Sequence, residues 1–268
     1  MASNRTQVLT DEYGNLVPTS RLRDGKPRSI LFDATTCIGC RQCVQACKDW
    51  NNHPRTTLYE LSSTNWITMD PPVLEGLSPI WARNSCMHCD FPACAAVCPV
   101  EAITKYEEGP VVIHQEACIG CEYCIYACPW NVITKNEITQ KSVKCTMCSD
   151  RVSEDKQPFC VQACPTQALD FDLSEDIADK AKNRAREQGG YVYGDKEAGG
   201  GGVLYVVKEE KQAYGIRDIP EQKFPKHKIP LALMVKDLFT LRCGISGKLR
   251  ALYLAILHPK RLIYRYFA

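Results

Sequence analysis

Sixteen of the seventeen cysteines in this 268-residue chain fall into four runs of nearly equal spacing. The first and third runs read C-x₂-C-x₂-C-x₃-C; the second has two extra residues in its middle gap, and the fourth has eleven residues there. A normal core does not need so many cysteines, so we infer that they serve chemistry. The four runs consist of Cys37, Cys40, Cys43 and Cys47; Cys86, Cys89, Cys94 and Cys98; Cys118, Cys121, Cys124 and Cys128; and Cys145, Cys148, Cys160 and Cys164.

Three roles for these cysteines are compared: disulfide bonds, zinc ligands and ligands of iron–sulfur clusters. Disulfide frameworks are typical of small secreted domains, whereas this chain opens with Met1–Arg5, which contains no apolar signal region. Cysteines two residues apart are also poor disulfide partners. Zinc suits the fourth run taken alone, but it does not explain four runs that each end in C-x₃-C, three of them followed by proline. The spacing is that of bacterial ferredoxins and predicts [4Fe–4S] clusters.

The spacing has a physical reason. Three cysteines on a tight loop can surround one face of a cubane cluster while backbone N–H groups point at its sulfurs. Gly39 and Gly120 suit such loops because glycine adopts backbone conformations that other residues rarely reach. The fourth cysteine begins a segment that leads away from its own loop, and it therefore ligates the other cluster of a pair.

The order of the runs suggests how they pair. The second and third are nearest, with 19 residues between Cys98 and Cys118, so we expect them to form one two-cluster unit. The first and fourth then pair around the outside, an inference from topology. The predicted ligand sets are quartet A (Cys37, Cys40, Cys43 and Cys164), quartet B (Cys47, Cys145, Cys148 and Cys160), quartet C (Cys86, Cys89, Cys94 and Cys128) and quartet D (Cys98, Cys118, Cys121 and Cys124).

The predicted fold class is α+β, with two pseudo-symmetric bacterial-ferredoxin-like modules that hold four [4Fe–4S] clusters. Strand-like runs at 29–33 and 110–113 precede the first and third cysteine runs. Helical pieces are expected after the fourth cysteine of each run. The predicted divisions are an N-terminal arm over 1–28, a four-cluster domain over 29–172 with an insertion at 52–85, a helix-plus-strand extension over 173–222, and a basic amphipathic tail over 223–268.

The segments around the cluster domain carry further expectations. The arm is either extended over a partner or a disordered leader. The insertion contains Trp66 and Trp81, which favour a cover over the first two runs. In the extension, Ser174 is expected to cap a helix that reaches about Arg186, with Ile177, Ala181 and Ala185 on one face, and 203–207 is expected to form a strand.

The tail differs in charge from the rest of the chain. Residues 223–268 contain ten Lys or Arg and one acid, so the formal charge of +2 combines a tail at +9 with a body at −7. Its apolar runs are shorter than the ~20 residues that span a bilayer, so we expect no transmembrane helix. We expect the tail either to lie on a membrane surface or the face of an integral partner, or to wrap the subunit's own acidic body or the catalytic partner. Removing 242–268 and measuring how much protein is recovered in the membrane fraction distinguishes membrane anchoring from the other roles.

The seventeenth cysteine, Cys243, has no cysteine neighbour and is expected to hold no cluster.

Histidines and basic residues lie beside the runs. His88 and His114 are not expected to be ligands, because each predicted cluster already has four cysteines. Some of the flanking cations should raise the potential of a cluster, although a solvated surface charge is the commoner role for any one of them. These cations are Arg41, Lys48, Lys105, Lys135, Lys141, Lys144 and Arg151.

Four motifs within and beside the cysteine runs are Cys37-Ile38-Gly39-Cys40, Ala46-Cys47-Lys48-Asp49-Trp50-Asn51, Cys86-Met87-His88-Cys89 and Lys144-Cys145-Thr146-Met147-Cys148-Ser149-Asp150-Arg151. In these motifs the chain resembles the four-cluster iron–sulfur (β) subunits of the molybdopterin oxidoreductase (DMSO reductase) family. Outside the cysteine runs, 185–191 and 198–207 resemble most the iron–sulfur subunits of respiratory formate dehydrogenases, although those usually end in a transmembrane helix that is not found here.

This resemblance implies an electron relay in a peripheral membrane-associated complex, with no catalytic residue on this chain. The implied partners are a molybdenum or tungsten bis-pterin catalytic subunit that oxidises formate and an integral membrane quinone or cytochrome subunit. Nucleic acid is not an expected partner. The alternatives are the β subunit of a sulfur-compound, nitrate or DMSO reductase, a freestanding polyferredoxin, and a zinc-bound interaction module.

Overall fold

The computed structural model describes residues 8–10, 16–18, 26–55, 60–70, 81–208, 214, 219 and 221. The predicted tail, including Cys243, and most of the predicted arm lie outside these residues. No helix in the described ranges is long and apolar enough to cross a membrane.

Short strands and short helices alternate along the described chain. The strands are β1 (Val8–Thr10), β2 (Leu16–Pro18), β3 (Arg28–Asp33), β4 (Thr68–Asp70), β5 (Ala82–Asn84), β6 (Ile103–Lys105), β7 (Val111–Ile113), β8 (Thr134–Lys135), β9 (Ser142–Val143), β10 (Leu169–Leu173), β11 (Tyr191–Tyr193) and β12 (Val203–Val207). The helices are α1 (Gln42–Trp50), α2 (Ala93–Ala96), α3 (Tyr123–Ala127), α4 (Ser149–Val152), α5 (Phe159–Gln162) and α6 (Ser174–Gln188), with a 3₁₀ turn at Glu197–Gly199.

A four-stranded sheet in the order β10-β3-β12-β11 joins distant parts of the sequence. Strand β3 precedes the first cysteine run; it pairs antiparallel with β10 and parallel with β12. The strands predicted at 29–33, 110–113 and 203–207 are thus present as β3, β7 and β12. The remaining strands form the two-stranded pairs β1-β2, β4-β5, β6-β7 and β8-β9.

Opposite faces of the four-stranded sheet contact different cores. Because side chains alternate along a strand, Ile30 and Phe32 of β3 face one side, together with Tyr205 of β12, and join the large core that also contains the buried cysteines. Leu31 and Leu204 face the other side and pack in a small separate cluster against α6. The sheet therefore backs the cysteine-rich region on one face and is covered by a helix on the other.

Helix α6 has the predicted apolar face but not the predicted cap. Ile177, Ala181 and Ala185 are all buried, as the i, i+4, i+8 spacing predicts. The prediction that Ser174 caps the helix is wrong, because the N-cap residue is Leu173 and makes no side-chain cap bond. The Ser174 hydroxyl instead lies 2.7 Å from the Ser29 hydroxyl of β3 and ties the helix start to the sheet.

The short helices near the cysteines also differ in position from the prediction. They were expected after the fourth cysteine of each run, but α2, α3 and α5 contain the third cysteine and end before Cys98, Cys128 and Cys164. Each of these cysteines precedes a proline, which disfavours helical backbone at the residue before it. Cys47 is followed by lysine instead, and α1 accordingly continues through it to Trp50.

The packing of α6 on the sheet predicts how two substitutions on this helix will differ. Ile177→Ala should lower the free energy of unfolding by about 2–4 kcal/mol, because it removes a fully buried side chain and leaves a cavity. Glu187→Ala, at an exposed position of the same helix, should leave stability nearly unchanged. Urea midpoints measured by far-ultraviolet circular dichroism on anaerobic protein compare the two, and equal midpoints would contradict this packing.

Candidate iron–sulfur centres

The third residue of each cysteine run has left-handed backbone conformation. The φ angles are +66° at Gly39, +48° at His88, +70° at Gly120 and +56° at Met147. In three of the runs the N–H of this residue donates to the sulfur of the first cysteine: Gly39 to Cys37 at 3.5 Å, His88 to Cys86 at 3.4 Å and Met147 to Cys145 at 3.4 Å. The four loops therefore repeat one local structure, although only two of them contain glycine.

Close packing explains the glycine in the other two loops. A Cβ atom on Gly39 would lie 2.1 Å from the Trp81 ring, and one on Gly120 would lie 2.1 Å from the carbonyl oxygen of Gln140. Trp81 belongs to the predicted 52–85 insertion, and the guanidinium of Arg41 also lies over its ring, 5.6 Å from the ring centroid. This tryptophan thus covers the first cysteine loop, one of the two that the insertion was expected to cover.

Quartets A and D each surround a cavity. The four thiols of quartet A line one cavity, with Phe32, Met69 and Leu169 among its other walls. The four thiols of quartet D line another, with Val100, Ile103 and Ile113. In both, three thiols come from one run and the fourth comes from a different run.

The thiols of quartets B and C also lie together. Cys47 is close enough to Cys145, Cys148 and Cys160 for their charges to interact, although more than ninety residues separate it from them. Cys94 interacts in the same way with Cys86, Cys89 and Cys128. The structure therefore brings together the members of all four predicted sets.

The four quartets are neighbours in the order D–C–B–A. Cys124 of quartet D interacts electrostatically with Cys128 of quartet C. Cys145 of quartet B interacts with Cys86 of quartet C, and Cys43 of quartet A interacts with Cys160 of quartet B. These interactions link successive quartets, and we call this D–C–B–A succession the row.

Burial controls the acidity of these thiols. It raises the pKa of Cys43, Cys89 and Cys124 to about 12, and that of Cys128 to about 11. Neighbouring thiols raise these pKa values further. Metal ligation requires thiolates, so a metal centre bound by these cysteines must displace protons from buried thiols.

Each quartet gathers four cysteine thiols from two segments of the chain. Four thiolates are the ligand set of a [4Fe–4S] cluster. The residues present therefore fit [4Fe–4S] clusters.

Several donors outside the loops reach the sulfurs or lie buried beside them. The Trp130 indole donates to Cys89 Sγ at 3.3 Å, and the N–H of Ala102 donates to Cys98 Sγ at 3.2 Å. His88 Nδ1 accepts from the N–H of Val111 at 2.9 Å, so the hydrogen of the neutral ring is on Nε2. That buried Nε2 has no hydrogen-bond partner among the residues that the structure describes.

The depth at which some cations lie was not evident from the sequence. Lys48 and Lys144 are buried, so the expectation of a solvated surface charge is wrong for both. Arg83, which no sequence pattern indicated, is also buried, and its Nη2 lies 3.9 Å from Cys160 Sγ. Its position three residues before Cys86 was the available signal, but nothing in the sequence distinguishes it from a surface arginine. His88 is fully buried and His114 is half-buried.

Comparison with known protein families identifies the chemistry of the runs. Models of a family described as "4Fe-4S dicluster domain" match residues 36–102 and residues 77–174. Together the two matches include all four cysteine runs. They confirm the prediction of ferredoxin-like [4Fe–4S] domains with mixed α and β structure.

The protein is also similar to characterised subunits over most of its length. It is 35% identical over 243 residues to the nitrate-inducible formate dehydrogenase iron–sulfur subunit of Escherichia coli K12, covering 82% of each chain. It is 35% identical over 226 residues to the formate dehydrogenase-O iron–sulfur subunit of the same organism, covering 77% of this chain and 75% of that one. The B subunit of the E. coli anaerobic dimethyl sulfoxide reductase is 38% identical over 155 residues, covering 56% of this protein and 76% of that subunit.

The geometry of the third loop predicts the effect of adding one methyl group. Gly120→Ala should reduce the iron and acid-labile sulfide bound per chain, because its Cβ would meet the Gln140 carbonyl. Gly189→Ala is the matched control: its φ is +67°, close to the +70° of Gly120, but nothing lies within 4 Å of the added Cβ. If the two variants bind the same amount of iron as the unaltered protein, this account of the loop is wrong.

Proposed function

This chain belongs to the family of iron–sulfur subunits of molybdopterin oxidoreductases, and we propose that it relays electrons through four [4Fe–4S] clusters. The observation that carries the proposal is the row of four cysteine quartets. The proposed electron donor is a molybdenum or tungsten bis-pterin catalytic subunit, and the acceptor is a membrane or other redox partner. The chain itself supplies no catalytic residue to substrate.

The proposed ligands are the four quartets as the sequence predicted them. A [4Fe–4S] cluster supplies one-electron redox chemistry when it is bound. The thiols of each quartet hold it as thiolates, and loop N–H groups stabilise charge on their sulfurs. Apolar side chains such as Phe32 and Ile113 line the cavities and exclude water. Three thiols from one loop and one from another make each cluster a link between two segments.

Differences in exposure support electron transfer at the two ends of the row. At quartet A, Cys40 is exposed and the neighbouring Ile38 is 62% exposed. At quartet D, Cys118 and Cys121 are half-buried, and Tyr126, which follows the same loop, is 46% exposed. In the two middle quartets every thiol except Cys89 is buried. Electrons therefore pass between this subunit and its partners at quartets A and D.

Formate is the proposed reductant of the complex. The proposal is supported by two relatives named as formate dehydrogenase iron–sulfur subunits, each matched over three quarters or more of both chains. A DMSO reductase-type complex is the second candidate, since the B subunit of a dimethyl sulfoxide reductase also matches. We further propose that the complex is peripheral to a membrane and docks on an integral quinone or cytochrome subunit, a proposal that the basic, amphipathic sequence of 223–268 supports.

Iron content tests the number of clusters. Anaerobically purified protein should contain about sixteen irons and about sixteen sulfides per chain, because each of four cubanes holds four of each. Cys121→Ser and Cys148→Ser should each lower the iron content, whereas Cys243→Ser, outside the runs, should leave it unchanged. A value near four or eight irons in the unaltered protein would contradict the proposal, as would equal iron in all three variants.

The catalytic partner is tested with the complex isolated under anaerobic conditions through an affinity tag on this chain. A large pterin-containing subunit should copurify, and formate should bleach the visible absorption of the clusters within seconds. Dimethyl sulfoxide should instead reoxidise dithionite-reduced clusters if the second candidate is right. The proposed relay would be contradicted, and a free carrier favoured, if no pterin subunit copurifies and the clusters are neither reduced by formate nor reoxidised by dimethyl sulfoxide.

A further inference from the structure

Two buried cations lie between successive cysteine quartets. Arg83 and Lys144 are each only 3% exposed. Arg83 belongs to strand β5 of the 52–85 insertion, and Lys144 follows β9 directly. Among the residues that the structure describes, neither forms an ion pair with a carboxylate, in contrast to other basic side chains such as Lys135, whose Nζ lies 3.0 Å from Glu122.

Arg83 lies between quartets A and B. Its Nη2 is 3.9 Å from Cys160 Sγ, and Nη1 donates to the Ser85 hydroxyl. Its charge also acts on Cys43 of quartet A and on Cys145 of quartet B. The Tyr205 hydroxyl donates to the Arg83 carbonyl at 2.8 Å and ties this segment to β12. The guanidinium is thus held at the boundary between two cluster sites.

Lys144 takes the equivalent place between quartets B and C. Its ammonium donates to the carbonyl of Val111 and, at 3.0 Å, to that of Cys145. Its charge acts on Cys86 and Cys94 of quartet C, and on Cys145 of quartet B. Arg83 and Lys144 thus lie on either side of quartet B, whose Cys47 also interacts with the buried Lys48, whereas A and C each have one of the two.

A buried charge without a counter-ion is strongly unfavourable. An arginine cannot lose its proton in a protein, so Arg83 must be balanced by negative charge nearby. A cubane with four thiolates carries a formal charge of about −2 when oxidised and one more negative charge when reduced.

We propose that Arg83 and Lys144 are counter-cations shared between neighbouring clusters, and that each raises the reduction potentials of the two clusters beside it. This inference rests on the proposed four-cluster relay. A fixed cation in a water-excluded site stabilises the reduced, more negative cluster more than the oxidised one. The potential of the cluster in quartet B depends on both cations. The potential in quartet A depends on Arg83, that in quartet C depends on Lys144, and that in quartet D depends on neither.

A redox titration of the intact complex tests this pattern, with cluster reduction followed by electron paramagnetic resonance. Arg83→Gln should move two of the four one-electron midpoints to lower potential, and Lys144→Gln should also move two. One midpoint should respond to both variants, and one should respond to neither. Each shift should lower the ratio of reduced to oxidised cluster at least tenfold at the original midpoint, which corresponds to about 59 mV for one electron.

Two control variants separate charge from structure. Arg83→Lys keeps the charge and should leave the four midpoints and the iron content close to those of the unaltered protein. Arg151→Gln removes a guanidinium beside the fourth run, where Arg151 stacks over Trp50 at the surface, and should move no midpoint because water screens its charge.

The outcomes also separate this inference from the relay itself. Four midpoints that stay in place in Arg83→Gln and Lys144→Gln would overturn the shared counter-cations and leave the relay intact. Fewer than four midpoints in the unaltered complex would contradict the relay. If Arg83→Gln loses iron, the Arg83→Lys variant separates charge from structure. Full iron content with unshifted midpoints in Arg83→Lys supports the role of charge, whereas loss of iron in Arg83→Lys as well contradicts it.

Discussion

The fourth cysteine of every run lies among the thiols of another run, and the rest of the structure depends on this exchange. Cys47 lies with the fourth run and Cys164 with the first, so segments more than ninety residues apart meet at the same sites. The same segments are joined by the sheet, in which β3 pairs with β10 and β12. A cluster in each quartet would strengthen links that the backbone already makes. Folding and metal loading are therefore expected to be coupled, as in other proteins whose buried thiols must be deprotonated by the metal they bind.

The interior of this protein combines apolar walls with a small number of fixed charges. Apolar side chains surround the cavities of quartets A and D, while Arg83 and Lys144 lie between the quartets. Apolar burial alone would oppose the negative charge of a reduced cluster. In the proposed relay, buried cations and N–H donors would offset that cost where the charge develops. The exposed thiols and side chains at the two ends of the row would then give the proposed partners access to it.

Much of this arrangement could be predicted from the sequence, because spacing and period are local signals. The four loops, strands β3 and β12 and the apolar face of α6 follow from cysteine spacing, from alternation and from the i, i+4 pattern. The helix positions near the cysteines were predicted wrongly, although the prolines after Cys98, Cys128 and Cys164 contained the signal. The burial of Arg83 could not be predicted, because its partners Cys160 and Tyr205 are 77 and 122 residues away in the chain. The left-handed His88 and Met147 were likewise hidden, since only glycine marks such positions in a sequence.

The central claim is that four iron centres stand in a row, each held by three thiolates of one loop and one thiolate of another. Anomalous diffraction at the iron absorption edge, from crystals of the complex grown without oxygen, locates the iron directly. The account predicts four separate multi-iron peaks inside this chain. The first three cysteines of each run should contact one peak, and the fourth should contact a different peak. These fourth cysteines are Cys47, Cys98, Cys128 and Cys164. Peaks bound by the four cysteines of a single run, or single-metal peaks with the signature of zinc, would contradict it.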